Sequence, residues 1–315
     1  MRVKNILINF PTNIGDTILA LPVLDRLKAE YPHAKITAIS SFRTHEFLSK
    51  NNFIDEAIIF DKHWPIKKKM IFSLSLRGKY DMVVDLKNSL LPIIICARLR
   101  TPIVRLSSRN INLKDKYIAL VKNLTSEKRK ELVKSDFNIS SEKKYRWDNF
   151  KLPPSIFVSC VSRSSIKNYP YEYLKIVAQE LKANYHLVFL GEEKDRGFYR
   201  DILSLDNITD LVGKTDIIDV FYLVKNYAKL ILGVDTTIIH IGSYLNIPVV
   251  ALFGPTDYRR TAPTSDSSFI LRRKDVRCAP CEKSKCNSNY ECMKIPPQEV
   301  IETIKKILNV YCKTS

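Results

Sequence analysis

Residues 228–254 read AKLILGVDTTIIHIGSYLNIPVVALFG, and this stretch is the strongest indication of the fold class. Its two ends, 228–234 and 248–254, are short apolar runs of the length expected for buried strands. Between them we predict a helix that begins near residue 236. Two buried strands joined through a helix predict a right-handed parallel crossover, which is the building unit of α/β sheets.

The same alternation of apolar strands and helical segments runs through the whole chain. In the first half we predict strands at 4–10, 35–40, 56–60, 80–85 and 103–106. In the second half we predict strands at 155–161, 185–191, 208–212, 228–234 and 248–254, with helices at 171–183, 195–204, 216–226 and 297–311. This order predicts two doubly wound parallel-sheet domains, 1–150 and 151–315, joined within the polar stretch 141–155.

The length and composition agree with two domains. A chain of 315 residues divides into two cores of about 150 residues each. Its apolar runs are shorter than the roughly 18 residues typical of a membrane span. The N-terminal MRVKNILINF lacks the long apolar region and small-residue cleavage site of a signal peptide, so we expect a cytoplasmic protein.

The formal charge of +18 is concentrated in the first half of the sequence. Residues 62–69 read KHWPIKKK, and residues 95–130 carry ten Lys or Arg residues against Asp115 and Glu127. This is either an ordinary solvated surface or a surface for an anionic partner, such as acidic lipid or a phosphorylated glycan. Nucleic acid is the weaker alternative, because no helix-turn-helix or zinc-finger pattern is present and aromatic residues are not interleaved with the basic ones.

Ligands of open parallel sheets bind beyond the carboxyl ends of the strands, so the loops that follow strands are the informative ones. The first of them, PTNIGD at 11–16, carries Asp16 at the start of a predicted helix. Read locally, such a carboxylate is a helix cap or a favourable charge near the helix dipole. The loop is neither a dinucleotide fingerprint nor a P-loop.

Two later loops have the composition of anion sites. The loop SRSSIKNYP at 162–170 offers hydroxyls and Lys167, either as an anion cradle or as a polar helix cap. The turn Asp235-Thr236-Thr237 places hydroxyls and amides where a phosphate would bind, and Asp235 could accept from ribose hydroxyls or cap the helix. His240 lies one turn further on, where we favour a packing role.

Four segments, in this order, resemble glycosyltransferase family 9, the ADP-heptose:lipopolysaccharide heptosyltransferases. They are NIGDTILALPVLDRLKAEYP (13–32), IKNYP (166–170), DTTIIHIGSYLNIPVVALFGPTD (235–257) and CAPCEKSKC followed by CMKIPPQEVI (278–301). The resemblance implies a GT-B architecture, in which two Rossmann-like domains face a central cleft that holds the active site. The N-terminal domain would bind the acceptor and the C-terminal domain the nucleotide sugar.

The same resemblance implies an inverting, metal-independent enzyme that moves heptose from ADP-heptose to the inner core of lipopolysaccharide or lipooligosaccharide. ADP-heptose would be a substrate, and no cofactor is expected. The expected partners are the nucleotide sugar, a lipid-linked anionic glycan and the cytoplasmic surface of the inner membrane, without nucleic acid. Two alternatives stay open: a family member that uses another nucleotide sugar, and a non-catalytic anion- or nucleic-acid-binding protein on the same fold.

Site residues carry over by position. Asp16 matches the proposed catalytic base, and its carboxylate should point into the cleft, where it would remove the acceptor hydroxyl proton. The donor-binding residues implied are Ser162, Lys167, Asp235, Thr236, Thr237 and His240. The candidate acceptor-binding residues, mostly cations suited to an anionic sugar, are Thr12, Asn13, Lys62, Lys87, Arg98, Arg105 and Arg109.

Two positions depart from the family pattern. Thr237 stands where the family usually has glycine or another small residue, and Lys87 follows Asp85-Leu86 where the family has glutamine. The first change either narrows the approach of the diphosphate or adds a hydroxyl contact. The second adds a cation on the acceptor side.

The cysteine cluster at 278–292 is a further unusual feature of the sequence. In a cytosolic chain, Cys278, Cys281, Cys286 and Cys292 have a spacing that indicates metal before disulfide. A structural zinc site is possible on residue type. We favour reduced thiols that stabilise a loop, because zinc is not expected of the family, and we predict no metal cofactor.

Overall fold

A computed structural model describes residues 3–103, 111–126 and 132–311. The chain divides into two compact units, Met1–Asn138 and Ile139–Ser315. Each unit contains a parallel sheet with helices in the connections between its strands. The predicted class of two parallel α/β units is confirmed.

The first unit holds a five-stranded sheet in the order β3-β2-β1-β4-β5. Its strands are β1 (Asn5–Asn9), β2 (Lys35–Ser40), β3 (Glu56–Ile59), β4 (Met82–Asp85) and β5 (Leu99–Arg100). Its helices are α1 (Ile14–Glu30), α2 (Phe42–Ser49), α3 (Ile66–Ser75), α4 (Leu91–Ile95) and α5 (Leu113–Leu120).

The last strand of this sheet lies earlier than predicted. Instead of a strand at 103–106, the structure has β5, which pairs Leu99 with Met82 and Arg100 with Val83. Pro102 follows almost at once, and a proline has no N–H group with which to continue the ladder. Residues 104–106 of the predicted strand lie outside the described part of the chain.

The second unit holds a six-stranded sheet in the order β11-β10-β9-β6-β7-β8. Its strands are β6 (Ser155–Ser159), β7 (His186–Phe189), β8 (Ile208–Asp210), β9 (Ala228–Val234), β10 (Val249–Leu252) and β11 (Ser268–Leu271). Its helices are α6 (Ser141–Asn149), α7 (Tyr171–Leu181), α8 (Arg196–Tyr199), α9 (Ile217–Tyr227), α10 (Thr237–Leu245), α11 (Tyr258–Thr261) and α12 (Pro297–Tyr311). The edge strand β11 was not predicted, because its apolar run is short and only half-buried.

The boundary between the units falls before α6, not at 150/151 as predicted. Helix α6 is polar in sequence, but its Trp147 is fully buried and donates from Nε1 to Asp219 Oδ1 at 2.9 Å. Lys143 on the same helix forms ion pairs with Asp216 and Asp219 at the start of α9. These contacts make α6 part of the second unit, although its composition is typical of a linker.

We expect Trp147→Ala to destabilise the second unit by about 3–5 kcal/mol, because it leaves a large cavity and an unpaired Asp219 oxygen. Tyr145→Ala on the same helix is the matched control, since Tyr145 is exposed and its loss should cost within about 0.5 kcal/mol. Urea unfolding followed by far-UV circular dichroism measures both. Equal stabilities for the two variants would show that α6 does not contribute to the core of the second unit, as expected for a linker with the boundary at 150/151.

The order of the strands identifies one switch point in each sheet. In the first unit the chain moves from β1 through β2 to β3 on one side and then to β4 and β5 on the other. In the second unit it moves from β6 through β7 to β8, and then to β9, β10 and β11. Ligands of such sheets bind at the carboxyl ends of the strands where the order reverses, which here means β1/β4 and β6/β9.

Gly242 allows helix α10 to pack directly against its sheet. A Cβ atom at this position would overlap Ile231 Cδ1 and lie 2.8 Å from Val249 Cγ2. The missing side chain therefore fixes the depth of α10 over β9 and β10. Among all the helices of the described residues, none is both long and apolar enough to cross a membrane.

Candidate active site

An ion pair occupies the switch point of the second unit. Lys167 ends a short 3-10 turn, Ser165–Lys167, after β6, and Asp235 directly follows β9. Lys167 Nζ donates to Asp235 Oδ2 at 2.8 Å, with the two side chains only 24% and 9% exposed. The topology thus brings together two predicted donor-site residues that are far apart in sequence.

Asp235 is held as a carboxylate. Burial alone would raise the pKa of Asp235, but the nearby Lys167 and His240 more than offset this, so its pKa lies below the ordinary value. His240, for which the local sequence favours packing and the family resemblance implies donor binding, is buried and faces this carboxylate, and its contact with the donor stays a prediction. Its Nε2 lies 3.9 Å from Asp235 Oδ1, which is longer than a hydrogen bond.

The start of α10 presents backbone amides beside this pair. Thr236 is the N-cap residue, and its hydroxyl donates to the Val234 carbonyl at 3.2 Å. The Thr236 side chain therefore does not cap the first turn of α10. Such amides, together with the helix dipole, attract an anion. Thr237 is the first residue of the helix and is half-buried; its expected contact with the donor stays a prediction.

The loop that carries Lys167 is closed by its own hydrogen bonds. The Ser162 amide donates to Asn168 Oδ1 at 2.8 Å, and the Ser164 amide donates to Ser162 Oγ at 3.3 Å. The Tyr169 amide donates to the Cys160 carbonyl at 3.1 Å. Ser162 therefore shapes this loop, and its role as a donor ligand stays a prediction.

In the first unit, Asp16 lies in the first turn of α1, at the carboxyl end of β1. The N-cap residue is Asn13, so Asp16 is the third residue of the helix and does not cap it. The Asn13 side-chain amide donates to Asp16 Oδ2 at 3.3 Å. Asn13, predicted to bind the acceptor, thus contacts the candidate base and orients one of its oxygens. The other oxygen is available for chemistry.

The loop before Asp16 is tied to its neighbours. The Thr12 carbonyl accepts from Ser41 Oγ at 3.0 Å, which joins it to the loop after β2. Thr17 Oγ1 donates to the Asn13 carbonyl at 2.8 Å. On the other side the Leu86 amide donates to the Asn9 carbonyl at 3.1 Å. The backbone that carries Asp16 is therefore positioned by the loops after β2 and β4.

A buried carboxylate at the β1/β4 switch point was not predicted as a site residue. Asp85 Oδ1 accepts from Asn9 Nδ2 at 2.8 Å and from the Lys87 amide at 3.1 Å. Asp85 Oδ2 accepts from both the amide and the hydroxyl of Ser89. These bonds fix the loop after β4. The signal in the sequence was a polar residue, Asn9 or Asp85, at the end of each of two otherwise apolar strands.

Lys87 is the predicted acceptor residue that the structure places best. It follows β4 at the carboxyl end, beside the switch point, and is half-buried. Burial lowers the pKa of Lys87, and the nearby Asp85 offsets this in part. A partly desolvated ammonium at this position would gain from an anionic ligand.

The remaining acceptor candidates have different outcomes. Lys62 is exposed in the loop after β3, at the carboxyl end of the sheet. Arg98 precedes β5, where the Leu99 amide bonds the Asp81 carbonyl, so it lies at the amino end of the strands. Its contact with the acceptor stays a prediction. Arg105 and Arg109 lie outside the described residues.

The cysteine cluster forms a loop without a metal-binding arrangement. Across the described residues, no three Cys, His, Asp or Glu side chains are placed to hold a metal ion. All four thiols are free, and burial together with the neighbouring cysteines raises the pKa of Cys292 to about 11. The Cys281 and Glu282 amides both donate to the Pro255 carbonyl, which joins the loop to the segment after β10. Metal independence stays a prediction.

Comparisons with known proteins agree with this geometry. The family model of glycosyltransferase family 9 (heptosyltransferase) matches residues 71–291. Lipooligosaccharide heptosyltransferase 2 of Campylobacter jejuni is 26% identical over 96% of this chain and 98% of that protein.

Two solved structures share the fold. The structure of E. coli ADP-heptose lps heptosyltransferase II matches this one with a TM-score of 0.74 at 24% identity, over 98% of this chain and 99% of the other. A family 9 glycosyl transferase from Veillonella parvula has a TM-score of 0.78 at 22% identity, over 98% of each chain. Both likenesses confirm the predicted GT-B fold class.

Proposed function

Because the chain belongs to glycosyltransferase family 9 and is thus a glycosyltransferase, we propose that it transfers heptose from ADP-heptose to the inner core of lipopolysaccharide or lipooligosaccharide. The C. jejuni relative is named for heptose transfer to lipooligosaccharide, which supports the sugar and the acceptor. The E. coli structure of the same fold is of an ADP-heptose enzyme, so ADP-heptose is the donor to test first.

The observation that carries this proposal is the Lys167–Asp235 pair beside the amides of α10. A lysine ammonium has three donors, and Asp235 uses one of them. The other two are free to bind the diphosphate of the donor, while the first-turn amides of α10 bind its oxygens. Asp235 keeps the ammonium in place, and it can also accept from a ribose hydroxyl.

The chemistry that we propose is direct displacement with inversion. Asp16 accepts the proton of an acceptor hydroxyl while that oxygen attacks the anomeric carbon from the face opposite the diphosphate. The bond between the sugar and the diphosphate breaks, and the charge of the departing ADP is met by Lys167 and the dipole of α10. Asn13 holds Asp16 in the required orientation. We propose that no metal takes part.

The acceptor would bind at the carboxyl end of the first sheet. Lys87 and Lys62 lie there and match an anionic sugar such as Kdo or a phosphorylated heptose. We further propose that the enzyme works at the cytoplasmic surface of the inner membrane, where a lipid-linked acceptor is available. The net charge of +18 supports an anionic surface as its place of work.

Thermal stabilisation by a panel of nucleotide sugars tests the donor. At a concentration a hundredfold above its Kd, ADP-heptose should raise the free energy of unfolding by about 2.7 kcal/mol and Tm by roughly 5–10 °C. ADP alone at the same concentration should stabilise the protein less. ADP-glucose controls for the sugar, and UDP- and GDP-sugars control for the base. A larger shift with a UDP- or GDP-sugar would show that the chain is a family 9 enzyme with a different donor.

A further inference from the structure

A stripe of apolar side chains on α3 is exposed to solvent. Ile66, Met70 and Leu74 are 75%, 56% and 49% exposed. Their spacing of four residues places them on one face of the helix. Ile71 beside them is also exposed. A surface helix normally presents polar side chains on its outer face, so this stripe needs a partner.

The stripe does not belong to the face of α3 that packs into the core. The opposite face of α3 packs inward through Phe72, and Leu76 directly after the helix belongs to the same core cluster as Val83. Helix α4 packs on this cluster as well, through Leu91 and Ile95. The core of this side of the sheet is therefore complete without the exposed stripe.

Helix α4 extends the exposed apolar area. Leu90, Ile93 and Ile94 are exposed, while their neighbours point into the cluster that α3 also covers. The two helices are in contact. We call the exposed side chains of 62–74 and 90–94 the α3–α4 surface.

This surface is basic and has no acidic residue in its longest segment. Residues 62–74 contain no Asp or Glu, and their Lys and Arg residues are Lys62, Lys67, Lys68 and Lys69. Lys68 Nζ lies 4.4 Å from the centre of the Trp64 ring, and Trp64 packs edge-on against Phe60 and Phe72. Exposed aliphatic side chains, a tryptophan and several lysines are the composition of an interfacial membrane helix.

We propose that the α3–α4 surface binds an anionic phospholipid bilayer, with the stripe in the headgroup region and the lysines on the phosphates. A second copy of the chain is a poorer occupant, because it would bring the same lysines face to face. Acidic lipid matches both features, because its phosphates attract the lysines and its headgroup region accepts the apolar stripe. This inference rests on the proposed function in one respect: it supposes that the acceptor is carried by lipid.

The position of the surface agrees with an acceptor on the membrane. Helix α3 begins after β3, and α4 begins after β4, so both helices start at the carboxyl end of the first sheet. Asp16 and Lys87 lie at that same end. A bilayer on the α3–α4 surface would therefore adjoin the end of the unit that carries the candidate base.

Vesicle flotation tests the proposal directly. The full chain should float with vesicles of phosphatidylcholine that contain about one third phosphatidylglycerol, and much less with phosphatidylcholine alone. The triple variant Ile66→Ser, Met70→Ser, Leu74→Ser should reduce the bound fraction on acidic vesicles about tenfold or more. A matched triple variant, Val133→Ser, Tyr145→Ser and Ile176→Ser, removes side chains of similar exposure elsewhere and should float like the wild type.

The charge requirement has its own control. Lys67→Glu with Lys68→Glu should abolish the preference for acidic vesicles, whereas Lys35→Glu with Lys50→Glu changes the net charge equally and should not. Unchanged Tm values show that each variant is folded. Failure of the wild type to float, or equal loss in the control pairs, overturns the proposal. So does a concentration-dependent dimer that the stripe variant abolishes without any vesicle binding.

Transfer to a water-soluble, delipidated acceptor separates the two proposals. The stripe variant should keep wild-type turnover on this acceptor, because it alters no residue of the candidate active site. If the wild type transfers sugar but does not float, the surface is wrong and the function stands. If it floats but transfers nothing, the proposed function is wrong and the surface stands.

Discussion

Asp16→Asn is expected to lower kcat by about 10²–10⁴-fold and to leave the affinity for the nucleotide sugar unchanged. The amide has the size of the carboxylate but cannot take up the proton of the acceptor hydroxyl. The donor residues lie in the other unit, so their contacts with the nucleotide should persist. Release of ADP in the presence of acceptor measures kcat, and calorimetric titration measures donor binding.

Asp16→Asn should change the stability of the fold only slightly. Asp16 is the third residue of α1, and its side chain accepts a hydrogen bond from the Asn13 side chain. Loss of a carboxylate near a helix N-terminus costs about 0.3–1 kcal/mol. A large fall in kcat without unfolding is therefore the signature of a base and not of a structural residue.

Asp115→Asn is the matched control. Asp115 is also the third residue of its helix, α5, so the substitution removes the same dipole interaction without touching the site. Both variants should lose similar stability, and only Asp16→Asn should lose turnover. Near-normal turnover of Asp16→Asn would end the assignment. Asn13→Ala should fall between the two, because it removes only the group that orients the carboxylate.

Much of the fold was predictable because both sheets are buried and parallel. Strands such as β1 and β9 are mostly apolar in their interiors, and the alternation with helices follows from the crossovers that join them. The elements that were not predicted share one cause: they depend on packing between residues far apart in sequence, which the local sequence pattern does not show. Helix α6 has the composition of a linker, and only the buried contact of Trp147 with Asp219 shows that it packs in the second unit. Strand β11 is partly exposed and is recognised only by its pairing with β10.

The site was predictable as a set of residues but not as a geometry. Lys167 and Asp235 were both identified, yet only the neighbouring positions of β6 and β9 show that they form an ion pair across 68 residues of sequence. Asn9 and Asp85 meet in the same way across β1 and β4. Arg98 lies at the amino end of its strand, and the sequence could not show this because it predicted the strand at 103–106 and not at 99–100.

Lys167→Met is expected to lower kcat/KM by about 10²–10³-fold, because it removes a cation that meets the charge of the departing diphosphate. It also leaves Asp235 buried without its ion-pair partner, so part of any loss could come from a damaged fold. Initial rates with ADP-heptose measure the first effect. Thermal unfolding as a function of pH measures the second.

The pH dependence of stability separates the two effects. In the wild type, the pKa of Asp235 lies below its ordinary value, so its ion pair stabilises the fold at neutral pH and is lost as the pH falls through that lowered pKa. In Lys167→Met, burial dominates and the pKa of Asp235 rises, so acid relieves the buried charge instead. The deficit in Tm relative to wild type should be largest near neutral pH and should shrink on acidification.

The double variant Lys167→Met, Asp235→Asn gives the deciding comparison. Removing the second charge leaves no unpaired buried carboxylate, so most of the lost stability should return, although the two sites are directly coupled. Turnover should be at least as low as in Lys167→Met, since the diphosphate still lacks its cation and the ribose loses the Asp235 carboxylate. If turnover returns together with stability, Lys167 serves only to neutralise Asp235, and the diphosphate must be bound by other groups.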